Sequence, residues 1–125
     1  MSNLRNQQLR TRDIKKLVTY KFQSIIWDKG CDSTSEWVLT SIENEEYKDR
    51  IIIWLQSKNI SSSCECVLVK NNWTELKRLE WCAVLENPKH YFCNESFHLY
   101  DVDLSWVLEY EPQEISRFGK IGKIP

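Results

Sequence analysis

Residues 104–111 read LSWVLEYE, and no other stretch of the chain constrains the fold as strongly. Leu104, Trp106, Leu108 and Tyr110 fall at every second position, with Ser105, Val107, Glu109 and Glu111 between them. Successive side chains of a strand point to opposite faces, so this period predicts a strand with one buried face and one wet face. Such a strand needs neighbours for its hydrogen bonds and a second layer over its apolar side. The segment therefore commits the chain to a sheet covered by helices, with Trp106 in the core. Pro112 ends the strand, because it has no N–H to give the ladder.

The flanking segments fill in that frame. Upstream, HYFCNE and FHLYD read as strand, and Asp101 and Asp103 mark a turn, where aspartate bonds locally to the backbone. CECVLVK, residues 64–70, alternates around Glu65 and reads as a further strand, as does SEWVLTSI, rich in pleat-favouring residues. RIIIWLQ fits either element: Tyr47, Ile51 and Leu55 have helical spacing, but three consecutive Ile favour a strand, which is the expectation taken here. Two helices are expected. One covers residues 12–27, with Ile14, Leu17, Val18, Phe22, Ile25 and Ile26 on one stripe, Thr11 as N-cap and Gly30 beyond the end. The other covers 73–86, opened by Asn72 and Glu75 at capping-box spacing and closed by Asn87-Pro88. The expected architecture is a single α+β domain over residues 1–125, a mainly antiparallel sheet packed against these two helices, with 1–10 and 119–125 loose.

Charge bears on partners more than on fold. The formal net charge is −1, yet residues 1–30 sum to +5 and residues 31–125 to −6. From His90 through Ser116 there are six acids and no Lys or Arg, interleaved with Tyr91, Phe92, Phe97, Tyr100, Trp106 and Tyr110. Acids beside aromatics suit a cationic partner, since complementary charge steers encounter and aromatic anchors carry binding energy. Glu95, Asp101, Asp103, Glu109, Glu111 and Glu114, with Tyr100, are the candidate partner-binding residues. The N-terminal MSNLRNQQLRTRD has no apolar h-region, and the longest apolar run, IIIWL, is far too short for a bilayer span. Five cysteines without small-scaffold spacing suit reduced thiols, so a cytoplasmic location is expected.

Catalytic chemistry finds little support. Cys64, Cys66, His90 and Cys93 are the conceivable zinc ligands, but H-x-x-C on a strand would send its side chains to opposite faces. Cys93 with His90 or His98 lacks any local nucleophile signature. FGKIGK lacks the first glycine and the Ser or Thr of a phosphate loop. No metal, cofactor or enzymatic activity is expected. A small enzyme built on those Cys and His residues, and a regulatory nucleic-acid-binding domain led by the basic first helix, are the alternatives; an acidic remainder disfavours the latter.

The segment HYFCNESFHLYDVDLSWVLEYEPQE resembles the C-terminal hairpin of small cytoplasmic bacterial immunity proteins, the antidotes encoded beside contact-dependent and polymorphic toxins. The likeness lies in an aromatic strand, an aspartate turn and an S-W-V-L strand followed by acids, about a fifth of the chain. It implies a non-enzymatic protein that binds one cognate toxin domain tightly, a nuclease being the natural partner because its surface is basic. That group shares no catalytic motif, so the resemblance assigns no residue a role. The basic segment near the N-terminus departs from a uniformly acidic inhibitor.

Overall fold

The computed structural model describes residues 25–29, 35–70, 75–93 and 95–121. They form one antiparallel sheet with three helices against it. In chain order the elements are β1 (Ile25–Trp27), β2 (Val38–Leu39), α1 (Glu45–Gln56), β3 (Glu65–Lys70), β4 (Glu75–Glu80), α2 (Trp81–Glu86), α3 (Pro88–Tyr91), β5 (Phe97–Asp101), β6 (Trp106–Glu111) and β7 (Ile115–Ile121). The strand order is β1-β7-β6-β5-β3-β4, with β2 also on β7. β1 takes the Gly119–Ile121 end of β7, and β2 takes the Ile115–Ser116 end. The expected α+β class with a mainly antiparallel sheet is what the chain adopts.

The alternating segment is indeed a strand. Trp106, Leu108 and Tyr110 lie in one core with Cys66, Leu68, Phe97, Leu99 and Phe118 from neighbouring strands. Ile51 and Leu55 of α1, Trp81 and Val84 of α2, and Tyr91 and Phe92 at α3 cover that face. Trp106 is 7% exposed, its ring edge-on to Trp81 at 5.2 Å and stacked on Phe118 at 5.5 Å. The opposite face is not the wet one expected. Val67, Val69, Tyr100, Val102, Leu104 and Val107 form a second buried cluster, against which Ile25, Trp27, Leu76 and Ile121 pack.

Leu104 therefore belongs to the second face, not with Trp106. Its φ of 54° is the reason: the left-handed backbone breaks the alternation just before the strand begins. Asp101 holds that bend. Its carboxylate accepts from the Ser105 N–H at 2.5 Å, from the Trp106 N–H at 3.3 Å and from the Ser105 hydroxyl, while its carbonyl accepts from the Leu104 N–H at 3.0 Å. The expected aspartate turn is present, and it is a buried clasp.

Other expectations need correction. RIIIWLQ is the end of helix α1. The Asn44 side chain accepts from the Tyr47 N–H at 2.9 Å, Glu45 and Glu46 occupy the first turn, and Ile51 and Leu55 bury one stripe. β-Branching costs a helix only tenths of a kcal/mol per residue, which a cap of about 1 kcal/mol and two buried side chains outweigh. Of the expected helix 73–86, residues 75–80 are strand β4, paired residue by residue with β3, 81–86 are helical, and 73 and 74 lie outside the described residues. A ladder partner overrides helical spacing of leucines. That helix does end at Asn87-Pro88, as expected, but Pro88 opens a further turn, α3, where a strand through HYFCNE was anticipated. Residues 25–27, the end of the expected first helix, are strand β1, and 119–121 belong to β7 instead of a loose tail. The remainder of that helix, Asn72, and residues 1–10 and 122–125 lie outside the described residues.

Candidate functional site

The seven candidate partner-binding residues do not form one surface. Tyr100 is 1% exposed, Asp101 6% and Glu109 8%, so all three serve the interior of this chain. The hairpin acids were expected on a wet face, and that face is buried. Burial pushes the Tyr100 hydroxyl pKa up, with a smaller push from Glu109. Asp103 is exposed at the β5–β6 turn. Glu95, Glu111 and Glu114 lie at the other end of the hairpin, about 17 Å along β6. Glu95 is exposed, with the Lys70 ammonium at 3.5 Å. Glu114, at φ 65°, shapes the β6–β7 turn, and its carbonyl accepts from the Thr40 N–H at 2.7 Å. The acids of this turn therefore stand beside the end of β2.

Glu109 sits in a row of charge across three strands. The register aligns His98, Glu109 and Arg117 on β5, β6 and β7. Arg117 donates to Glu109 from Nε at 3.0 Å, a terminal nitrogen forms an ion pair with the same carboxylate oxygen at 3.0 Å, and the guanidinium also binds the Glu36 carboxylate. Its guanidinium lies 3.7 Å from the Trp27 ring and 4.6 Å from the Trp37 ring, between the two indoles. Burial pushes the Glu109 carboxyl up, but hydrogen bonds and charge from His98 and Arg117 outweigh it and hold the group below its usual range. Glu111 moves the other way: burial, then a hydrogen bond to Glu109 and its charge, push its carboxyl up. Two indoles, a guanidinium and a buried carboxylate lock β1 and the chain ahead of β2 onto the sheet. This row holds the fold together.

The cysteine and histidine candidates are dispersed. Burial, then the neighbouring Cys64, push the Cys66 thiol far up, leaving it a poor ligand and nucleophile. The Cys93 thiol donates to the His90 backbone carbonyl at 3.1 Å. Among the described residues no three His, Cys, Asp or Glu side chains converge as a metal site. Among them, too, no helix is long and apolar enough to cross a membrane.

The surface that stands out was not anticipated. Between β2 and α1 runs a groove of about 520 Å³, walled by Trp37, Val38 and Leu39 on one side and by Tyr47, Arg50, Ile53, Trp54 and Ser57 on the other. Leu39 is 53% exposed and Ile53 66%. Glu43 and Glu46 are exposed at the end where the chain passes from β2 into α1, and Arg50 is tied to Glu46 at 2.6 Å. Read as a helix, residues 45–56 carry the signal: Ile51 and Leu55 point one way, and Ile53 and Trp54 extend the apolar surface beyond that stripe. No protein-family model, curated protein or solved structure matches the chain.

Proposed function

We propose that the protein is a cytoplasmic immunity protein, a non-enzymatic binder that neutralises one cognate toxin domain through the β2–α1 groove and the acids around it. The observation that carries this reading is the groove itself. Leu39 and Ile53 stand in water beside Trp37, Tyr47 and Trp54, the residue types that anchor protein interfaces. Glu43, where the chain leaves β2, and Glu114, bonded to Thr40, stand at its end, an arrangement that favours a basic partner such as a nuclease. The resemblance of residues 90–114 to immunity-protein hairpins supports the same assignment. In this reading Glu114 keeps the role first expected of the hairpin acids, Glu95, Asp103 and Glu111 lie outside the contact, and Asp101, Glu109 and Tyr100 hold the scaffold.

The test is co-expression with the C-terminal domain of the protein encoded immediately upstream. Rescue of growth and co-purification of a 1:1 complex are expected. Leu39→Asp with Ile53→Asp should abolish rescue while leaving the melting temperature within a few degrees, because both side chains are exposed. Rescue by this double variant equal to that of the wild type would sink the assignment of the groove, and a neighbouring domain that is neither toxic nor bound would sink the immunity reading.

A further inference from the structure

We propose that β2 is a docking edge: the groove takes an extended segment of the partner, which adds to the sheet as a strand beside β2, with apolar side chains on α1 and basic ones between them. The inference rests on the reading of the chain as a binding protein and specifies how the partner is held.

The backbone geometry comes first. β2 runs antiparallel to β7, with Val38 opposite Ser116 and Leu39 opposite Ile115. The Thr40 N–H donates to the Glu114 carbonyl at 2.7 Å. In an antiparallel pair the inward-bonding residues alternate. Val38 and Thr40 therefore address β7, and the N–H and carbonyl of Leu39 point away from it. Among the described residues no strand pairs with that outer side.

The two edges of the sheet differ in kind. β4, at the far edge, carries Glu75, Lys77, Arg78 and Glu80 in six residues, the charge that discourages an incoming strand. The segment Trp37-Val38-Leu39-Thr40 carries none. Opposite it, α1 presents Tyr47, Ile53 and Trp54, so the open edge faces an apolar wall. A strand lying there bonds to Leu39 and drops alternate side chains onto that wall, the general mode of strand addition. α1 is about 18 Å long, which an extended segment covers in five or six residues. The charge of its intervening side chains follows from Glu43 and Glu114 at the rim, since Arg50 and Glu46 neutralise each other.

The probe is a capped peptide of alternating Val and Lys. Its controls are the same peptide with Glu for Lys, and the Val-Lys peptide methylated on alternate backbone nitrogens in each of the two phases. Binding is read by anisotropy on the full chain, with amide exchange at Leu39 followed alongside. The Val-Lys peptide is expected to bind and to slow exchange at Leu39. The Glu peptide, and one of the two methylation phases, should bind about tenfold more weakly. Ile53→Asp should remove binding without lowering the melting temperature. Binding indifferent to both methylation phases, binding retained in Ile53→Asp, or no binding at about 1 mM peptide overturns the proposal. The peptide assay needs no toxin. A toxin complex that leaves Leu39 exchange unchanged sinks strand addition and spares the immunity reading; peptide binding in a protein that fails to rescue does the reverse.

Discussion

Replacing Arg117 with methionine keeps an unbranched chain between the Trp27 and Trp37 rings and removes the charge that Glu109 faces. The Glu109 side chain is 10% exposed and that of Arg117 19%. Removing one partner of a fully buried pair costs about 3–5 kcal/mol. Glu109 retains some solvent and keeps His98 at 3.8 Å, so the expected loss at pH 7 is about 2–3 kcal/mol, out of a domain stability of roughly 5–15 kcal/mol. At about 3–4 °C per kcal/mol for a chain of this size, the melting temperature should fall by about 6–12 °C. The pH dependence identifies the cause. In the wild type the Glu109 pKa is lowered, so its contribution is present above its ordinary value of 4.5 and is lost as pH falls through the lowered value. In Arg117→Met, burial is opposed by His98 alone and the pKa rises from its wild-type position, so ionised Glu109 contributes less stability near neutrality. Urea denaturation at pH 7 and at about pH 4 should therefore show a deficit that shrinks in acid. Arg117→Lys should recover only part of it, because an ammonium neither forks nor lies flat between two indoles. Equal deficits at both pH values, or full recovery by lysine, would refute the ion-pair argument and leave only packing.

Other perturbations test other parts of the structure. At Gly119 an added Cβ would stand 2.7 Å from Ile25 Cγ2, 2.9 Å from the Trp27 ring and 3.1 Å from the Ile26 carbonyl, so Gly119→Ala should cost about 1–3 kcal/mol in a thermal melt. Trp106→Ala removes the ring that joins Trp81 to Phe118 and should cost about 3–5 kcal/mol, lowering the melting temperature by about 9–20 °C as followed by near-UV dichroism. Glu111→Gln should stabilise by about 0.5 kcal/mol at pH 7, because the carboxyl it replaces is raised and its ionisation opposes folding. That gain should vanish as pH falls below the ordinary carboxylate range, where Glu111 is protonated in both folded and unfolded wild type.

The strands that could be read from sequence are those whose pattern is local. β3, β5 and β6 announce themselves by alternation and turn chemistry within eight or ten residues. α1 was obscured because Ile51, Ile52 and Ile53 favour a strand one by one, while the features that decide for a helix, Asn44 and the four-residue step from Ile51 to Leu55, act together. β4 was obscured in the opposite sense: Leu76 and Leu79 have helical spacing, and only the presence of β3 alongside makes them strand residues. The acids mislead for a geometric reason. Glu109 and Glu111 are neighbours in sequence, but the fate of Glu109 depends on Arg117, eight residues on, and on His98, eleven residues back. The groove was invisible for as long as α1 was read as a strand, since one of its walls is that helix.

The position of β7 imposes an order on the making of the protein. β1 and β2 leave the ribosome early, yet their partner is residues 115–121, roughly ninety positions later for β1. Until those residues emerge, nothing in the described sheet can bond to either segment. A nascent chain that stalls before Ile115 carries a sheet ending at β6, with the backbone of Trp106–Glu111 unpaired along its outer side. Such an edge is a template for a second unfinished chain. Its exposure to chaperones and proteases would end only when β7 slides in between.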